Sequence, residues 1–167
     1  MSLLFWLEST AIGTFVREHP SLLAYPTFTV FHTVGLAIVV GLSAVVAART
    51  VGFAPSIPLA PLNKLFPVIW FGFGINLLSG GGLAAAAATT TIPNPMFLAK
   101  ITLVIVAVVI MRMLQVRVFR DPEVGNKPLE SKARILAGSL LVLWLFAMIA
   151  GRLIGYTVDI MPPMFGE

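Results

Sequence analysis

The sequence predicts an all-α, polytopic membrane protein: four transmembrane helices in an antiparallel bundle plus an N-terminal interfacial helix. Three observations predict it. Of 167 residues, 58% are hydrophobic and 11% charged, and the mean hydropathy is +0.98, more apolar surface than a soluble domain can bury. The apolar residues fall into four nearly charge-free runs of about 20 residues, the length that crosses about 30 Å of hydrocarbon. The basic residues flank those runs and do not interleave with aromatic ones, so the net charge of +4 reads as a topology signal and excludes a nucleic-acid surface.

Residues 1–167 read as a single transmembrane domain. The interfacial helix covers about 2–18; with no basic leader and no small-residue cleavage site, it reads as a retained segment and not a signal peptide. On a helical wheel Leu4, Phe5, Ala11, Ile12, Phe15 and Val16 form an apolar arc, with Thr10, Thr14, Arg17 and Glu18 opposite. Glu8 falls inside the arc, where a carboxylate needs a partner or a proton unless the helix stands proud of the lipid.

Span one covers about 27–48, broken by His32 and ended by Arg49. The following loop carries Pro55, Pro58 and Pro61 at spacing three, which reads as an interfacial linker, with a polyproline II ligand as the alternative. Span two covers about 65–88; Pro67 is expected to kink it and Gly80, Gly81 and Gly82 to unwind it locally. Gly72, Gly74, Ser79 and Asn76 offer it a close-contact face. Span three covers about 96–116, with Lys100 and Arg112 near its ends, where long side chains snorkel. Span four, about 135–158, carries Arg152 beside the small-residue steps Ala147, Gly151 and Gly155. The connecting links predict antiparallel packing of sequential spans.

Basic residues are enriched in cytoplasmic loops. Arg49, Lys64, Arg112, Arg117, Arg120, Lys127, Lys132 and Arg134 fall on one side, and Arg17, Lys100 and Arg152 complete the 11 on the other. Both termini are therefore expected on the periplasmic face of a bacterial inner membrane.

Ionisable groups inside spans are where function is sought, because they are expensive at that depth. His32 lies about 8 Å and Arg152 about 9 Å in from the same face, with Lys100 near that level. Tyr25, Tyr156 and Asp159 join them, and Arg152, Tyr156 and Asp159 share one helix face. The expected structural ion pair is Glu8 with Arg152, with Asp159 or Lys100 as the alternative partners. A cofactor site is expected at His32, Gly35, Lys100, Arg152 and Tyr156, with His32 an axial metal ligand and Gly35 leaving room for a macrocycle. Haem b, bacteriochlorophyll and quinone remain open as ligands: a chlorin magnesium needs one axial histidine, whereas low-spin haem b needs two, and the second histidine, His19, lies outside the spans. Met96, Met148 and Met161 are alternative second ligands, though methionine in such helices is mostly packing. The absence of cysteine excludes disulfides, thiolate metal sites and iron–sulfur clusters. No phosphate-binding loop, metalloprotease histidine pair or nucleophile elbow occurs, so catalysis is not expected.

Leu7-Glu8-Ser9, Tyr25-Pro26 followed by His32 and Gly35-Leu36-Ala37, Asn94-Pro95 with Phe97 and Lys100, and Gly151-Arg152 with Tyr156 follow an order and spacing that resemble an uncharacterised family of small bacterial four-helix integral membrane proteins. The family pattern has an acid at the position of Thr29 and a histidine near Met111 and Met113. The resemblance implies an inner-membrane protein with a polar outer-leaflet site at Glu8, His32, Lys100 and Arg152, and brings no established activity. The function expected is a non-enzymatic accessory subunit of a larger respiratory or photosynthetic electron-transfer complex, in contact with lipid and other membrane subunits and holding one tetrapyrrole or lipid near His32. The alternative is a small redox subunit binding haem b or quinone; a transporter or metal-handling protein ranks third.

Overall fold

The computed structural model describes residues 2–121, 124 and 129–157. Seven α-helices occur among the described residues: α1 (Ser2–Ser9), α2 (Ala11–Glu18), α3 (Tyr25–Val51), α4 (Phe66–Ala86), α5 (Ala88–Thr91), α6 (Pro95–Leu114) and α7 (Ser131–Thr157). A 3-10 turn, Ala60–Leu65, leads into α4, and a π-helical turn, Gln115–Phe119, extends α6. With those extensions the four long helices are 25 to 27 residues each, long and apolar enough to span a membrane. The chain is an all-α, multi-pass membrane bundle.

Local chemistry fixes the helix ends. α3 begins with Pro26 in its first turn, where the missing N–H costs nothing, and stops at Gly52, whose φ of 119° is left-handed and whose N–H caps the carbonyls of Ala48 and Arg49. Pro67 likewise occupies the first turn of α4, so it starts that helix and does not kink it. Asn94 caps α6 by accepting from the Met96 N–H at 2.8 Å, with Pro95 next. The proline-rich segment is a folded linker: Arg49 donates to the carbonyls of Ile57 and, at 3.1 Å, Pro55, and Pro61 joins the 3-10 turn.

Two expectations about helix continuity fail in opposite directions. α4 passes through Gly80, Gly81 and Gly82 without unwinding, because the space left by two of these glycines is occupied by side chains of α3. The N-terminal segment is two helices and not one: Thr10 breaks it and caps α2, its hydroxyl accepting from the Gly13 N–H at 3.3 Å. Gly13 and Val16 are buried against the rest of the protein, while Phe5, Ile12 and Phe15 of the expected apolar arc face outward.

α3 lies against α4 and α7, and α6 lies against α7. α4 and α6, consecutive spans joined through α5, make few contacts, so the expected pairing of sequential spans holds only for the first and last pairs. The hydrophobic core occupies one half of the bundle. It stops at Val39 on α3, Ile69 on α4, Ala107 on α6 and Ala147 on α7. Within that half Phe66 meets Phe119 with ring centroids 5.3 Å apart, and Gln115 accepts from the Trp70 indole at 3.0 Å and from Arg112 at 2.8 Å. Arg49, Lys64, Arg112, Arg117 and Arg120 lie at this basic end; α1, α2 and α5 lie at the other.

Candidate functional site

Beyond the core, toward the α1–α2 end, α3 and α4 meet along a seam of small residues. A Cβ built on Gly35 would stand 2.7 Å from the Asn76 nitrogen and 2.9 Å from the Gly72 carbonyl oxygen. One on Gly82 would stand 2.3 Å from Phe28. Gly35 thus lets two backbones touch, and α4 fills the room expected there for a macrocycle.

His32 sits in this seam. Its Nδ1 is 3.1 Å from the Asn76 carbonyl oxygen, which can only accept, so Nδ1 carries the proton. The Asn76 amide then donates to the His32 carbonyl at 2.8 Å, not to Nδ1, and the Ser79 hydroxyl, 3.4 Å from Nδ1, donates to the Ile75 carbonyl at 2.6 Å. The ring is fixed in one tautomer, with its Nε2 lone pair free of any partner among the described residues. Gly80 completes the cradle: a Cβ there would stand 2.9 Å from Cε1 and 3.1 Å from Nδ1 but 4.0 Å from Nε2. The glycine thus admits the Cε1–Nδ1 edge of the ring, with Nε2 the farther nitrogen.

Lys100 approaches from α6. Its stem crosses α7 at Gly151, where a Cβ would stand 3.3 Å from Cδ and Cε and 3.4 Å from Nζ. Side chains on a helix lean toward its N-terminus, so Lys100 could lift its ammonium toward the membrane surface, yet the amine stays against α7. It is half-buried, within electrostatic reach of His32, and has no hydrogen-bond or ion-pair partner among the described residues. His32, Gly80, Lys100 and Gly151 all lie about 8–10 Å in from the ends of their helices.

The remaining expected members are elsewhere. Arg152 and Tyr156 are exposed on the outer face of α7, where the guanidinium lies 5.4 Å from the Tyr156 ring centroid and donates to its hydroxyl at 3.3 Å. Tyr25 is exposed, and Asp159 and Met161 lie outside the described residues. The Glu8–Arg152 pair does not form. Glu8 accepts from the Thr89 N–H at 2.8 Å and hydroxyl at 2.7 Å, with Arg17 3.7 Å away. Thr89 belongs to the first turn of α5, so Glu8 caps that helix from another part of the chain; Arg17 donates to the Ala86 carbonyl at 3.3 Å, closing the end of α4. The Thr89 hydroxyl and then its N–H hold the Glu8 carboxyl below the usual range, with Arg17 adding to the effect and burial opposing it. Neither this staple nor the part played by Gly80 is expected from the sequence; the signal for the first was an acid stranded in an apolar arc. A further buried donor, the Trp144 indole N–H on α7, has no partner among the described residues.

Among the described residues no three His, Asp or Glu side chains gather as an ion site. The arrangement at His32 and Lys100 can give one lone pair and one positive charge to a molecule lying between helices. No family model, curated protein or solved structure matches the chain.

Proposed function

We propose that the chain is a non-enzymatic accessory subunit of a larger bioenergetic membrane complex, and that it holds one tetrapyrrole through His32 Nε2. The observation that carries this reading is the orientation of the imidazole: an Nδ1–H bound to a backbone carbonyl, behind an unpartnered Nε2, is the arrangement in which proteins present an axial ligand. The distribution of packing supports it, since the main apolar core stops short of His32 and the α3–α4 seam around it closes on glycines, Ser79 and Asn76, with Phe28 lodged against Gly82. The open glycines on lipid-facing surfaces, Gly41, Gly81 and Gly155, give neighbouring subunits places for close helix approach.

The resemblance to small bacterial four-helix proteins and the distribution of basic residues support placement in the inner membrane with both termini periplasmic. A redox subunit binding quinone is the second reading, favoured by the pairing of an acceptor, Nε2, with a donor, Lys100.

An absorption spectrum of the protein purified from its own membranes tests the assignment. A Soret or chlorin band that His32→Ala abolishes supports it; a colourless, folded preparation counts against it. Fixed-stoichiometry co-purification with a large electron-transfer complex supports the accessory role, and a protein found alone in native membranes opposes it. For topology, a cysteine placed at Gly166 should label from outside the cell and one at Asn126 should not.

A further inference from the structure

We propose that Lys100 anchors a free carboxylate of the ligand that His32 binds, so that the ligand is a metallo-tetrapyrrole with at least one unesterified acid side chain. The inference rests on the reading of His32 as an axial ligand and narrows its ligand class. A haem carries ionised propionates at the edge of its macrocycle. A chlorophyll-type pigment carries its acid as a long-chain ester and brings no charge. The choice therefore turns on what the site offers at a distance from Nε2.

It offers an ammonium. Lys100 is half-buried within a transmembrane span, and no carboxylate, hydroxyl or carbonyl among the described residues bonds to its Nζ. An unpaired charge at such depth is costly, so membrane lysines normally pair or rise to the surface. Lys100 does neither among the described residues, because its stem is laid in the notch that Gly151 leaves on α7. Among the described residues the acids of this region do not compete for it: Glu8 is taken by Thr89 and Arg17, and Glu18 by Arg17 at 2.8 Å. The lysine and histidine also come from separate contacts of the bundle. His32 is held by the α3–α4 seam and Lys100 by the α6–α7 seam, while α4 and α6 make few contacts with each other. A molecule bound to both would join the two seams, with its metal at one and its acid at the other. An ammonium–carboxylate bond in a water-poor setting is among the stronger hydrogen bonds available to a protein.

The test is an optical titration of the full-length protein, purified without ligand in mild detergent, with ferric protoporphyrin IX and with its dimethyl ester. The ester keeps the metal and macrocycle and lacks the charge. Wild-type protein should bind the free acid about tenfold or more tightly than the ester. Lys100→Gln should bring that ratio close to unity, and Lys100→Arg should largely keep it. Because the ratio is measured on wild-type protein, the main result does not depend on a variant that folds. Equal affinity of wild-type protein for acid and ester overturns the proposal while leaving the role of His32 in place. A preference for the acid that persists in Lys100→Gln also overturns it, by locating the anchor elsewhere. Failure to bind either compound overturns this proposal, and the absorption spectrum of protein from its own membranes then decides whether the His32 reading survives with another tetrapyrrole.

Discussion

The two halves of the bundle are closed by different means. At the basic end, Phe66, Ile69, Met111, Leu114, Phe119 and Leu140 are buried, and four long helices share one apolar core. At the α1–α2 end the buried positions include Gly35, Ser79, Gly82, Asn94 and Ala150, with Val16 of α2 the one large apolar side chain fully buried there, and much of the contact is made by backbone approach and hydrogen bonds. In lipid the hydrophobic effect does not drive helices together, so close packing is the main adhesive and each half uses a different form of it. Large interlocking side chains leave nothing unfilled. Small residues let helices touch in pairs while the pairs need not close on each other, and a polar site is tolerated there.

The largest effect expected from this contrast is at the basic end. Phe66→Ala removes a side chain that is 1% exposed and its partner contact with Phe119, and should cost about 3–5 kcal/mol in reversible unfolding from detergent. A cost below 1 kcal/mol would mean that this half is not the main source of stability. Next comes Gly35→Ala, which forces a methyl into the backbone of α4 and should cost about 1–3 kcal/mol by the same measurement. The α3–α4 seam should open while the basic core persists, so cysteine pairs across the seam should lose their crosslinking and those across Phe66 and Phe119 should keep it.

Glu8 gives the third prediction. Its carboxyl titrates lower in the folded protein than in the unfolded chain, so its contribution is complete above the unfolded value and is lost as pH falls through the folded one. Acidification should therefore release α1 and α2 first, seen as faster hydrogen exchange in residues 2–18 while α3 and α7 stay protected. Glu8→Gln should cost about 1–2 kcal/mol at neutral pH and remove most of that acid dependence. The smallest effect is Gly80→Ala, about 1 kcal/mol or less, because the imidazole can swing aside more easily than a backbone. Its consequence is local: the ring leaves the Asn76 carbonyl, and ligand affinity should fall more than stability does.

The spans were legible because length and hydropathy decide them, whereas the cap that Asn94 supplies to α6 was not read from the sequence. Pro67 and the glycine run were misread for one reason: both are helix breakers in water, but in the first turn proline is harmless, and in a membrane helix glycine marks where a neighbour comes close. His32 and Lys100 stood out as ionisable groups in apolar runs, and the structure places them within electrostatic reach of each other. Arg152 and Glu8 shared their depth but not their direction, and depth is all that counting residues along a helix provides. The partner of Glu8 lies 81 residues away on a helix of four residues that hydropathy does not register.

That staple has a consequence for the order in which the protein is made. Residues 2–18 leave the ribosome well before residues 86 and 89, yet the carbonyl and the amide that fix them belong to Ala86 and Thr89. Until the second long helix has been inserted and its far end exposed, the N-terminal pair has nothing to dock on. It waits, undocked, through two insertion events, and a chain stalled before residue 86 should leave this segment open to added protease.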